Sequence, residues 1–260
     1  MKKNRTLKLA SAMVILCLIT TCAISTTFAK YTTGGSVNDE ARVAHWGVEV
    51  TMDGDPMFAN QYENTTNGIT VKSKDDAKVV APGTSSSEVS GALRFALTGT
   101  PEVATKITIS LTGIQEVGVR AGTYYDGTKA TIENNGTPTY ATFDLAADYY
   151  PVVFTLKQIS GADGTYAEPR QLFRGTLAGL SAFLDNYSAG ATYAPNAVLN
   201  ATFELSWAWA FETNSANNQA DTLLGHLIAG TVPADAVQAP AGSYHLTVAY
   251  TLNITVEQID

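Results

Sequence analysis

Residue types that most often carry catalysis or metal binding are sparse in this 260-residue chain: three histidines, His45, His226 and His245, and two cysteines, Cys17 and Cys22. No histidine stands in a His-Glu-x-x-His arrangement, and no two share a helical face at metal-binding spacing, so zinc chemistry is not expected. There is no Gly-x-Ser-x-Gly elbow, no phosphate-cradling loop and no dinucleotide fingerprint. Asp53-Gly54-Asp55 places two carboxylates where they could share a hard cation. Pro56 and Met57 then occupy positions where a calcium loop needs another oxygen ligand and a glycine, so the segment reads as a turn. A hydrolase built on Asp53, Asp55 or Asp221 would need two carboxyls held at a set separation. Trp207, Trp209 and Phe211 alternate along one strand face, which suits either a sugar-stacking platform or a buried core. Tyr124-Tyr125 and Tyr149-Tyr150 could extend such a platform. The expectation is a non-enzymatic protein with no cofactor and no metal site.

The N-terminus carries a different kind of chemistry, as a substrate for processing. Lys2, Lys3, Arg5 and Lys8 precede an uncharged, mostly apolar run over 9–25, and Thr27-Phe28-Ala29 offers the small residues that a signal peptidase inspects. Residues 1–29 therefore read as a cleavable signal peptide, with Thr27, Ala29 and Lys30 around the cut. The run is short for a membrane helix of about 20 residues. Ile19-Thr20-Thr21-Cys22 loosely matches a lipoprotein site, with Thr21 where a smaller residue is usual. Both cysteines fall in the removed segment, so the mature chain has no disulfide and must rely on its core. The formal charge of −8 becomes −12 when four of the 16 Lys and Arg, and none of the 24 Asp and Glu, are lost. Such an acidic surface excludes nucleic acid and, after processing, a membrane as expected partners.

The elements that must hold any site are strands. Tyr244, Leu246, Val248, Tyr250, Leu252, Ile254 and Val256 alternate with polar residues and predict one long final strand. The same period recurs at Val89 to Leu97, at Ile107, Ile109 and Leu111, at Tyr150 to Leu156 and at Phe203 to Phe211, with a first strand over 42–52. Turn residues such as Asn134-Asn135-Gly136 separate them. Phe173, Leu177, Leu180 and Leu184 predict an amphipathic helix over 168–187 behind Pro169, and 220–229 a shorter one stopped by Gly230. The fold class expected is all-β: an antiparallel jelly-roll-like sandwich with one or two short helical insertions, preceded by a cleavable signal peptide.

Thr26-Thr27-Phe28-Ala29-Lys30-Tyr31-Thr32-Thr33, followed by Ala41-Arg42-Val43-Ala44-His45-Trp46-Gly47-Val48, resembles the secreted proteins with a SipW-type signal peptide, which include the TasA and camelysin biofilm-matrix proteins. Val80-Ala81-Pro82-Gly83-Thr84, the passage from Trp207 to Glu212 with Ala220 to Gly225, and the ending from Ile254 to Asp260 extend the likeness. The resemblance implies a single jelly-roll domain over 42–260, released by a dedicated signal peptidase and assembled into extracellular fibres. In TasA-like fibres the freed N-terminal segment of one subunit adds a strand to the next. By position that segment lies within 30–41 here, with Lys30, Tyr31, Thr32 and Thr33 as the donor strand and Gly34-Gly35 as its hinge. Only Tyr31 is a substantial apolar anchor, so backbone pairing would dominate. The partners implied are copies of the chain and an accessory matrix protein. Camelysin-like proteins have been described as metalloproteases, which this residue set does not support. The alternative is a monomeric secreted adhesin or carbohydrate-binding module using Trp207 and Trp209.

Overall fold

Ile107, Ile109 and Leu111 are buried while Thr108, Ser110 and Thr112 between them are not, and this alternation makes residues 105–115 a strand with one wet face. The computed structural model describes residues 46–53, 56–64, 68–89, 91–128, 138–161, 164–188, 191–211 and 214–259. The expected signal peptide over 1–29, with Thr27, Ala29 and Lys30 around its cut, the expected donor residues Tyr31, Thr32 and Thr33 and hinge Gly34 and Gly35, and His45 and Asp55 lie outside the described residues. The described chain is mostly β, and its named strand pairs are antiparallel.

A wide sheet joins β1 (Val48–Asp53), β4 (Leu93–Gly99), β12 (Leu199–Trp209), β9 (Val152–Gly161) and β10 (Gly164–Gly175), in that order. A narrow one joins β11 (Thr192–Tyr193), β5 (Thr105–Gln115) and β14 (Ala249–Gln258). One hydrophobic cluster draws on both: Phe95, Phe154, Phe203 and Trp207 from the wide sheet, Ile107, Ile109 and Val256 from the narrow. Phe154 meets Tyr250 edge-on across the interior, at 6.0 Å between ring centroids. The sheets therefore pack face to face. Each fully buried aliphatic or aromatic side chain contributes roughly 1.5–3 kcal/mol to that union.

Strand ends are closed by side chains. At the end of β12, Ser86 accepts from the Trp207 N–H at 3.1 Å and donates to its carbonyl at 3.4 Å. The Trp207 indole N–H donates to the Met57 carbonyl at 2.7 Å. Its ring packs under the hairpin of β2 (Gln61–Asn64) and β3 (Ile69–Lys72), edge-on to Tyr62. Along β5, β11 covers only Lys106 and Thr105; further on, Ser188 accepts from the Ile109 N–H at 2.8 Å and donates to the Ile109 carbonyl at 3.1 Å. Ser188 ends helix α1 (Leu177–Ser188), whose Leu177, Leu180 and Leu184 are buried.

Two expectations are corrected. Residues 164–175 form β10 and not the first half of a helix, because Phe173 pairs opposite Leu156 in the wide sheet. The helix starts instead at Leu177, capped by Thr176, whose hydroxyl accepts from the Gly179 N–H at 3.1 Å, while Glu116 accepts from the Leu177 and Ala178 N–H groups. The final strand is broken: β13 (Tyr244–His245) pairs with β6 (Gly118–Val119), and pairing resumes only at Ala249 with β5. Met52, on the inward side of β1 by register with Phe95, is 51% exposed.

A second, smaller cluster joins Val119, Tyr124, Phe143 and Leu145 to Ala220 and Leu223. It is built from β6, the hairpin of β7 (Gly122–Tyr125) and β8 (Thr142–Leu145), and helix α2 (Ser215–Ala229). Asn214 caps α2 by accepting from the Asn217 N–H, and Gly230 ends it at φ 62°. At the opposite end of the body, the connection 100–104 holds both flanks of the described chain: Thr100 N–H donates to the Gly47 carbonyl and Ile259 N–H to the Ala104 carbonyl, each at 2.9 Å.

Replacing Ser188 by Ala strands a buried N–H and a carbonyl of Ile109. Urea unfolding of this variant is expected to show a loss of about 1–3 kcal/mol; an unchanged midpoint would mean that β5 does not depend on the hydroxyl.

Candidate functional site

Asp221, on the first half of α2, is a half-buried carboxyl. One of its oxygens, Oδ1, accepts from the Tyr149 hydroxyl at 2.9 Å and from the Trp209 indole N–H at 3.2 Å. Tyr149 belongs to the smaller cluster and Trp209 to the main core, so a single carboxyl oxygen ties the two together. Burial disfavours its charge and pushes its pKa from 3.8 up to about 6, against the lowering effect of the two donors. Among the described residues, its hydrogen-bond donors are the Tyr149 hydroxyl and the Trp209 indole N–H, with no second carboxylate beside them. The carboxyl gives up its proton as pH rises through about 6, and through one oxygen it latches two packed units together.

Trp207 and Trp209 are 2% and 5% exposed. The core reading of the alternation is the one the fold realises, and neither indole offers a face to a sugar ring; Phe211, just past the strand, is 51% exposed. Asp53 ends β1 opposite Arg94 in a transverse row on the wide sheet, where Glu204 and Lys157 follow by register. Within that row Arg94 pairs with Glu204 at 2.8 Å. Asp75 is held below the usual carboxylate range, first by the Ser73 hydroxyl and then by the Ala77 N–H, and stabilises a turn. His226 meets the Thr231 hydroxyl at 2.7 Å and the Tyr125 ring; His245 lies exposed on β13. Among the described residues no group of three or more His, Cys, Asp or Glu is placed to hold a metal ion.

Sequence reasoning missed the cleft of about 280 Å³ between the sheets beside α1. Its apolar floor is Leu97, Ile107, Ile109, Leu199 and Phe203, and Arg170 stands at its mouth. It missed equally the union of Asp221 with Tyr149, which is 72 residues away. The available signal was Trp209, whose N–H needs a partner once its ring is buried.

No family model matches the chain, and no curated protein or solved structure is detectably similar to it. Among the described residues, no helix is long and apolar enough to cross a membrane.

Because folding raises the pKa of Asp221, the folded state binds its proton more tightly than the unfolded chain does. This group's contribution to stability is complete below 3.8 and is lost as pH rises through about 6. Asp221→Asn keeps an acceptor for both donors and removes the charge. Denaturant unfolding at pH 4.5 and pH 8 is expected to show the wild type losing ground to this variant at the higher pH; parallel pH profiles would refute the buried charge.

Proposed function

We propose that this chain is a secreted structural protein of the bacterial extracellular matrix, a jelly-roll-like sandwich that polymerises by adding its N-terminal segment, residues 30–41, to a neighbouring copy. The observation that carries the reading is an imbalance of the two sheets. Five strands face three, and β14, ten residues long, has no strand on its outer edge among the described residues. On the wide sheet, Val48 and Val50 are only half-buried, and Met52, on the same inward face, is 51% exposed. An added strand would satisfy the backbone edge of β14 and cover apolar surface that the narrow sheet leaves open.

The third edge is built differently. β10 carries Pro169, Glu168 and Arg170 and two register shifts against β9, features that block pairing. β14 has no proline and Glu257 as its sole charge. The chain also passes from one sheet to the other between β4 and β5, β5 and β9, β10 and β11, β11 and β12, and β12 and β14, which supports a jelly-roll-like path. Donation from one copy to the next is head to tail, so it propagates without closing. The signal block over 1–29 supports export and cleavage before Lys30 by a signal peptidase. With Tyr31 the main apolar anchor of the donor, an accessory matrix protein fits as a nucleator. The rival adhesin reading loses its platform, since Trp207 and Trp209 are buried.

Deleting residues 30–35 from the secreted protein is expected to abolish fibres in negative-stain microscopy. Met52→Lys, at an exposed position, is expected to leave the melting temperature within a few degrees while slowing elongation several-fold, because a charge on an open apolar edge opposes strand addition. Fibres that grow unchanged from both variants would overturn the mechanism.

A further inference from the structure

We propose that the cleft beside α1 is a binding site for a small soluble molecule carrying one carboxylate on an unbranched apolar chain. This inference stands apart from polymerisation, since the cleft is walled by α1, β9 and β12, not by the free edge of β14. The cleft exists because the narrow sheet is incomplete at this corner. β11 pairs with β5 through two residues only, and Ser188 replaces strand pairing at Ile109. The space opposite β9 and β10 is therefore bounded by a helix and a turn, and the walls are kept apart by Gly161, Ala191 and Ala201.

The interior selects for hydrocarbon. Ile107 and Ile109 are 1% and 2% exposed, Phe203 2%, and Leu97 and Leu199 4% and 5%, so the floor is a continuation of the core. Phe203 is fixed in place by stacking on Phe95 at 4.9 Å and by the edge of Tyr187 at 6.1 Å. A volume of about 280 Å³ lies at the small end of ligand sites. At roughly 30 Å³ for each water-sized group it takes about nine, the length of a medium chain.

The mouth selects the head group. In a chain with 24 Asp and Glu, not one acidic residue lines this cleft, whereas Arg170 does, together with Gln158 and Asn200. A guanidinium has five N–H donors in a fixed fork, so Arg170 can hold a ligand carboxylate alongside contacts within the protein. The Gln158 side chain, whose amide N–H also donates to the Ser160 carbonyl at 3.1 Å, adds a neutral polar group to the rim. A cationic head would meet Arg170 with like charge, and an alcohol would leave its charge-assisted contact unmade.

The test is calorimetric titration of the purified protein with decanoate below its aggregation limit, beside decanol and decyltrimethylammonium. Saturable one-to-one binding of decanoate is expected, weakened at least about tenfold by Arg170→Gln with decanol binding unchanged, the effect of losing one charge-assisted contact. Arg170 is exposed, so this variant keeps its fold. Ala201→Leu fills the slot and is expected to abolish binding of both decanoate and decanol. No saturable binding of decanoate, equal affinity in Arg170→Gln, or preference for the cationic detergent would each overturn the proposal. So would binding to phosphatidylglycerol vesicles in place of free decanoate.

Discussion

A sheet buried on one face must pair its backbone along every strand, and here two sheets of unequal width must do so around one core. The chain meets this constraint with buried hydroxyls where strands run out. Ser86 and Ser188 each accept from an N–H and donate to the carbonyl of one strand residue, Trp207 and Ile109 respectively. An unpaired buried backbone group costs as much as a lost hydrogen bond. Both hydroxyls are therefore framework atoms: one lets the β2–β3 hairpin close over the Trp207 ring, the other lets α1 stand where strand pairing ends.

From this follows the uneven treatment of edges. On the α1 side the missing strand is replaced by a helix, leaving a slot floored by core residues. On the β14 side nothing among the described residues replaces it. The smaller cluster is attached at the other extreme, by packing around Leu223 and by the shared acceptor of Asp221. The three margins differ: one is closed by a hydroxyl, one is left open among the described residues, and one is joined through a half-buried carboxyl. Each therefore responds to a different perturbation.

Strand interiors were legible in the sequence wherever one face is fully covered: Phe203, Leu205, Trp207 and Trp209, or Val152, Phe154 and Leu156, alternate as their burial does. Boundaries were not, because a period continues across a change of structure. Phe173 precedes Leu177 at a helical spacing although it sits on a strand, and the helix start is capped by Thr176 together with Glu116, which lies far back in the chain and accepts from the Leu177 N–H. Leu246 and Val248 keep period two through a segment that pairs with nothing. Met52 keeps the alternation of β1 yet escapes burial, since cover depends on the width of the opposite sheet. The Asp221 latch and the cleft are assembled from segments too distant for local pattern to register.

The connection 100–104 has a mechanical meaning. It is bonded to Gly47 just before β1 and to Ile259 just after β14, so the two flanks of the described chain emerge side by side. Tension drawn between them would not shear the sheets, which would load many hydrogen bonds together. It would peel β1 from β4 and β14 from β5 one rung at a time, starting at this loop. The body resists heat and solvent through its core, but along this axis it behaves as a zipper with its slider at residues 100–104.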